Sequence, residues 1–177
     1  MDFNEFMECI TANLNSEKEI NKLLVDRYPF LLPTNRWTGK VADDYDFSYT
    51  ELDAMEDGWR AAFGLHMCEE IKEELDKIEN EQSRSSYRIM QIKEKYGSLR
   101  WYTNWTTDGL EKVIAKYEAE SCRTCCKCGA PATKISLGWI SPWCDECAER
   151  VKQCDALMPI EEYFKEEEEE EEDAEVE

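Results

Sequence analysis

Phe3, Phe6, Met7, Ile10 and Leu14 recur at three- and four-residue spacing, which predicts a short amphipathic helix at the start of the chain. Ser16-Glu17-Lys18-Glu19 follows as a capping-box pattern and opens a second helix through Ile20, Leu23 and Leu24. Pro29 and Pro33 end it. Residues 34–57 then lose any clear period, and this aromatic-dotted polar stretch is long for a loop, so a short strand or turn is expected somewhere within it. The strongest pattern starts after Asp57. Trp59, Phe63, Met67, Ile71, Leu75 and Ile78 form an apolar stripe, with Glu69, Glu70, Glu73, Glu74 and Lys77 on the opposite face. This helix is expected to end near Asn80, with EQSRSS as a polar breaker.

Beyond the breaker the period changes. β-Branched and aromatic residues flank Tyr96-Gly97-Ser98 in YRIMQIKEKYGSLRWYTNW and predict a β-hairpin. Thr107 or Asp108 caps a further helix carrying Leu110, Val113, Ile114 and Tyr117. The last patterned segment holds the chemistry. Cys125 and Cys128 form one C-x-x-C pair and Cys144 and Cys147 a second, with fifteen residues between them, the spacing of a zinc ribbon. Gly129 follows the first pair, where a knuckle turn favours a residue tolerant of unusual backbone angles. A shifted first pair, Cys122 with Cys125, is also compatible with the spacing, and Cys126 is a further cysteine in the same stretch. Four thiolates fill the coordination of zinc, so the expected cofactor is structural and no catalytic residue is assigned. The second knuckle is expected to run into a helix, CDECAERVKQC, with Trp139-Ile140 and Trp143 packing the ribbon onto the hairpin.

Nine cysteines are an odd number, and the first fifteen residues have neither the basic start nor the apolar run of a secretory leader. Reduced thiols in the cytoplasm are therefore expected, and no stretch is apolar enough to suggest a membrane span. The formal charge of −20 narrows the choice of partners. Residues 1–83 hold 20 acidic and 8 basic side chains, and residues 135–177 hold 16 and 3. Only residues 84–134 reverse the sign, with 5 acidic and 10 basic. A strongly anionic protein is attracted to basic surfaces and repelled by nucleic acid. From Glu166 onward ten of twelve residues are acidic, too polar to build a core.

Other candidates are weaker. His66 is the single histidine and is read as a partly buried helix residue rather than a catalytic base. Asp43, Asp44, Asp46, Asp53, Glu56 and Asp57 have no phosphate-cradling glycine loop beside them, so a solvated acidic loop and helix cap is preferred to a magnesium site. Arg84, Arg88, Lys93, Lys95, Arg100, Arg123, Lys127 and Lys134 interleave with Tyr87, Tyr96, Trp101, Tyr102 and Trp105, a composition able to stack bases and contact phosphates. Pairing of these cations with the chain's own acidic helices is an equal alternative.

Asp57-Gly58-Trp59, the segment IKEKYGSLRWY over 92–102, and the CxxCG…CxxC pattern with Gly138-Trp139-Ile140 between the pairs together resemble a family of small uncharacterised proteins of bacteriophages and prophages. The resemblance covers about residues 57–148 and implies a small host-directed protein acting in the host cytoplasm. The expected fold is α+β, with N-terminal helices and one long amphipathic helix packed on a β-hairpin. Its expected division is a helical and hairpin domain over 1–120, a docked zinc ribbon over 121–156 and an acidic tail over 157–177. Combined with the charge, the expected function is non-enzymatic: an anti-CRISPR-like inhibitor of a host defence nuclease that imitates nucleic acid. The partner would be a basic protein or nucleoprotein complex. Glu69, Glu70, Glu73, Glu74 and Asp76, with Asp43, Asp44 and Asp46, are the expected contact residues. The alternative is a zinc-ribbon regulator that binds nucleic acid through the basic segment 84–134.

Overall fold

Ser16 caps the second helix as its pattern predicts, its side chain accepting a hydrogen bond from the Glu19 N–H. A computed structural model describes residues 1–12, 16–152 and 154–165 of the chain. Helices α1 (Phe3–Ala12) and α2 (Glu17–Arg27) lead into a 3-10 turn at Pro29–Leu31. The unpatterned connection contains no strand among the described residues; it holds a second 3-10 turn at Glu51–Ala54, closed by a Thr50–Asp53 capping box. Leu52 and Met55 are buried there, and the Asn21 side chain donates to the Phe47 carbonyl at 2.9 Å, tying the connection to α2.

The long apolar stripe does form one helical path, but not a uniform one. α3 (Asp57–Trp59) passes through a π-helical turn at Arg60–Gly64 into α4 (Leu65–Asp76). The reason lies in the spacing. Trp59, Phe63, Met67, Ile71 and Leu75 repeat strictly every four residues, and all five are buried. Such a stripe drifts around a 3.6-residue helix, and one wider turn brings it back toward the core. The helix stops at Asp76, short of Asn80. EQSRSS does not break the chain: it forms a separate short helix, α5 (Glu81–Ser86), because Asn80 accepts from the Ser83 N–H at 2.9 Å and caps it.

Strands β1 (Ile89–Lys95) and β2 (Ser98–Thr103) form the expected antiparallel hairpin. Its two-residue loop has Tyr96 at φ 52° and Gly97 at φ 76°, the doubly positive geometry that matches the twist of paired strands. Thr107 caps α6 (Asp108–Ser121). This helix packs on β2 and α4, with the Phe63 and Tyr117 rings 5.3 Å apart. Two α6 side chains also reach the outer edge of β2. The Leu99 N–H donates to Ser121 Oγ at 2.8 Å and the Trp101 N–H to Glu118 Oε1 at 3.1 Å.

The second sheet comes from the cysteine-bearing segment. β3 (Lys134–Ser136) lies between β4 (Ser141–Trp143) and β5 (Leu157–Pro159), antiparallel to both, and the second C-x-x-C runs into α7 (Asp145–Val151) as expected, with Cys147 inside the helix. The second sheet extends past residue 156 through β5. Residues 157–159 complete this sheet, Ile160 is buried, and residues 160–165 are helical. Residues 166–177, the glutamate run, lie outside the described residues. The chain is thus a mixed helix-and-sheet protein with two small sheets. No helix among the described residues is long and apolar enough to cross a membrane.

Candidate metal centre and the neighbouring surfaces

A Thr124–Pro131 bridge closes the first knuckle at its base. Inside it the Cys125 N–H donates to the Ala130 carbonyl at 2.8 Å, and the Gly129 N–H to the Cys125 carbonyl at 3.0 Å. Gly129 adopts φ 79°, which explains why glycine follows this pair. Cys144 is the N-cap of α7, its sulfur accepting from the Cys147 N–H at 3.5 Å. The Cys126 N–H joins the two knuckles by donating to the Pro142 carbonyl at 3.0 Å. The result is convergent: the sulfurs of Cys125, Cys128, Cys144 and Cys147 all lie within 4.8 Å of one another. Thiolates arranged tetrahedrally at about 2.3 Å from a zinc ion stand about 3.8 Å apart, so the donor set and its spacing fit such an ion.

The electrostatics favour ionisation at one of the four. Burial works against a thiolate at Cys125, but N–H groups of Cys144, Cys128 and Lys127 outweigh it and bring the thiol down to about 7. The shifted pairing is not what the fold assembles. Cys122 directs its thiol to the Glu118 carbonyl within α6 at 3.5 Å. Cys126 packs into the large hydrophobic core, where burial first, then Cys125 and Glu56, push its thiol up to about 12.

Asp57-Gly58-Trp59 proves to be the seat of the first knuckle, a role the helix pattern alone does not show. The Gly58 N–H donates to the Cys126 carbonyl at 2.8 Å, and the buried Trp59 indole N–H to the Thr124 carbonyl at 2.8 Å. Asp57 pairs with Lys127 at 2.7 Å. Each residue of the motif therefore holds one point of the turn that carries Cys125 and Cys128.

The expected acidic contact residues are spread over two regions and largely engaged within the chain. Glu69 receives Arg27 at 2.7 and 2.9 Å and the Tyr28 hydroxyl at 2.7 Å. Burial raises its carboxyl, but these donors outweigh burial and hold it below the usual carboxylate value. Glu70 receives Lys116 at 2.6 Å and the Tyr117 hydroxyl at 2.7 Å. Glu74 pairs with Lys77 at 2.5 Å, Asp76 with Lys72, and Asp46 with Lys18. Glu73, Asp43 and Asp44 are exposed and have no ion pair among the described residues. Glu69, Glu70, Glu73 and Glu74 line a shallow depression of about 410 Å³ with His66. His66 is exposed rather than partly buried, its ring edge-on to Phe3 at 5.1 Å.

The basic stretch divides as well. Lys127 pairs with Asp57, Arg123 with Glu161 at 2.7 Å, and Arg100 approaches Glu118 at 3.6 Å. Lys93 and Lys95 have no ion pair among the described residues; their ammonium groups lie over the rings of Tyr102 and Tyr96, at 5.3 and 5.2 Å. Register places Lys93 opposite Arg100, Lys95 opposite Ser98 and Gln91 opposite Tyr102, so these residues lie on one face of the hairpin, of which all but the buried Ser98 reach solvent. Of the aromatics expected to stack bases, Tyr87 and Trp101 are buried and Trp105 is half-buried against Ser86; Tyr96 and Tyr102 reach solvent. Trp143 is half-buried and bridges the thiol cluster and the main core, as expected. Trp139 does not pack inward: it is 73% exposed. Instead its neighbour Ile140 meets the hairpin turn at Gly97.

Comparison with family models, with curated proteins and with solved structures finds no match to this chain.

Proposed function

We propose that this is a non-enzymatic nucleic-acid-binding protein, in which a structural zinc ribbon braces the hairpin as a recognition surface for single strands. One observation carries this reading. The outer face of the hairpin presents Lys93 and Lys95 without ion pairs, beside Arg100 and two solvent-facing tyrosines, Tyr96 and Tyr102. Cations that track a backbone, interleaved with rings on which bases stack, are the two components of single-strand binding. Zinc held by Cys125, Cys128, Cys144 and Cys147 would supply cross-linking of the two knuckles, with no coordination position left for substrate. The cytoplasm, where thiols stay reduced, suits such a site. The strong negative charge elsewhere limits indiscriminate attraction to duplex DNA.

The test is a binding titration of the zinc-loaded full chain with a labelled single-stranded oligonucleotide at about 50 and 200 mM salt. Binding that weakens with salt and is abolished by Lys93→Glu/Lys95→Glu supports the reading. Absence of binding by the wild type at the lower salt removes it.

A second reading rests on the net charge of −20 and on Glu73, Asp43 and Asp44, which are exposed without an ion pair among the described residues. In it the acidic surface occupies the nucleic-acid channel of a host defence nuclease, as an anti-CRISPR-like inhibitor does. The ion pairs of Glu69, Glu70, Glu74, Asp76 and Asp46 reduce the charge available for that role. Recovery of a basic nucleoprotein complex on the tagged protein, released by a competing polyanion and lost with Glu73→Lys, would favour it.

A further inference from the structure

The hairpin turn and the turn between β3 and β4 border an open cleft of about 450 Å³. Tyr96 enters its wall from the first turn and Trp139 from the second, and both are more than 70% exposed. The two rings make no ring contact with each other among the described residues. Lys93 and Lys95 line the same wall with Gly138, Ile140 and Glu94, whose carboxylate accepts from the Gly97 N–H at 2.7 Å. A large aromatic left in solvent at a turn tip loses hydrophobic stabilisation, and it is usually mobile. Trp139 is instead pinned from below. Asp155, sixteen residues further on, accepts from the Gly138 N–H at 2.8 Å and from the Trp139 N–H at 2.9 Å, one with each carboxylate oxygen. Ser136 Oγ donates to the Trp139 carbonyl, and the Trp143 indole N–H donates to the same oxygen of Ser136 at 3.1 Å. The backbone on both sides of the exposed ring is therefore fixed to the second sheet and, through Trp143, to the thiol cluster.

We propose that this cleft is a base-binding slot, in which one unstacked base of a single-stranded nucleic acid stacks on Trp139 and Tyr96 while Lys93 and Lys95 hold the flanking phosphates. Asp155 is a positioning residue: it touches no ligand and fixes the backbone that carries the indole at the mouth of the slot. The inference rests on the nucleic-acid reading above and adds to it the residue that the basic segment 84–134 does not contain. Charge complementarity selects the ligand. The two lysines of the wall have no ion pair among the described residues, the Glu94 carboxylate beside them is taken up by the Gly97 N–H, and phosphodiester groups supply the anions the lysines lack. Fixing the turn backbone beforehand removes the part of the ordering cost that a mobile loop would incur on binding.

The experiment uses the zinc-loaded full chain and a short fluorescent oligothymidylate at low salt, with melting temperature and zinc content measured for every variant. Trp139→Ala is expected to weaken binding about 10- to 100-fold with unchanged zinc content, and Trp139→Phe to restore most of it, since an aromatic face is what the base needs. Asp155→Ala is expected to weaken binding several-fold and to raise the rotational freedom of Trp139, measured as the anisotropy component lost in Trp139→Phe. Asp155→Asn, which keeps one acceptor, lies between. If wild type and Trp139→Ala bind the oligonucleotide equally, the slot is wrong while the hairpin face remains the binding surface. If the wild type binds no oligonucleotide, the nucleic-acid reading fails and the slot fails with it.

Discussion

Gly58 and Gly129 lie back to back, so close that neither position has room for a side chain. A Cβ on Gly129 would stand 2.6 Å from the Gly58 carbonyl oxygen, and one on Gly58 would stand 2.6 Å from the Gly129 nitrogen and 2.7 Å from the Cys126 carbonyl carbon. The obstructing atoms are backbone, which cannot swing aside as a flexible side chain can. The start of the long helical path and the first cysteine knuckle are thereby locked in one relative position. The helix start and the thiol cluster therefore hold one geometry between them.

Gly58→Ala is the direct test of that lock. It should cost about 1–3 kcal/mol or more through overpacking, and should speed zinc release to a chelator even though every ligand is intact. Melting temperature and the rate of zinc transfer measure the two effects. A variant that melts and releases zinc like the wild type would show that helix and knuckle are not coupled here.

Trp59 extends the same contact by a hydrogen bond that can be separated from its bulk. Trp59→Phe keeps a ring in the core and deprives the Thr124 carbonyl of its indole donor, a loss of about 1–2 kcal/mol. Trp59→Ala also opens a cavity and should cost about 3–5 kcal/mol. Chemical denaturation of both variants distinguishes the terms, and equal losses would assign the whole effect to the hydrogen bond.

The four clustered thiols are separable from their cysteine neighbours. Cys125→Ser and Cys144→Ser should lose stoichiometric zinc and several kcal/mol of stability, because binding and folding are coupled at such sites. Cys122→Ser and Cys126→Ser should retain one zinc per chain, since those thiols point elsewhere. Metal analysis of the four purified variants decides it, and zinc retained by Cys125→Ser would overturn the assignment.

The Glu69–Arg27 pair has side chains only 15% and 14% exposed, so it carries a pH dependence. Its hydrogen bonds hold the folded-state carboxyl below the unfolded value of about 4.3. The stability it contributes is therefore complete above that value and is lost as pH falls through the lower folded-state value. Glu69→Gln should be about 2 kcal/mol less stable at pH 7, with the gap narrowing in acid. Parallel denaturation curves at pH 7 and about pH 3 test this, and a gap that stays constant would place the acid sensitivity elsewhere.

Much of this arrangement is legible in the residue pattern, and the exceptions have physical causes. The stripe from Trp59 to Leu75, the β-branched runs beside Tyr96-Gly97 and the C-x-x-C spacing are local signals, and each marks what the fold builds there. α5 has no buried residue and so leaves no apolar period; only its Asn80 cap foretells it. β5 is three residues ending in proline, and it becomes a strand because β3 offers it a partner. The ion pairs of Glu69 and Glu70 join residues more than 40 positions apart, beyond the reach of spacing rules. Asp155 could have been noticed only as a carboxylate in a polar stretch; its role depends on the turn that folding brings above it.

The two α6 side chains that meet β2 carry one more implication. A two-stranded hairpin has open edges that recruit further strands, and in isolation it is barely stable. Here Ser121 and Glu118 occupy the outward N–H groups of Leu99 and Trp101, which closes that edge to self-association. Ser121 stands four residues before Cys125, so the guard and the metal knuckle are continuous chain. Stripping the zinc should thus do more than lower the melting temperature. It should uncap a sticky edge and promote assembly through the strands.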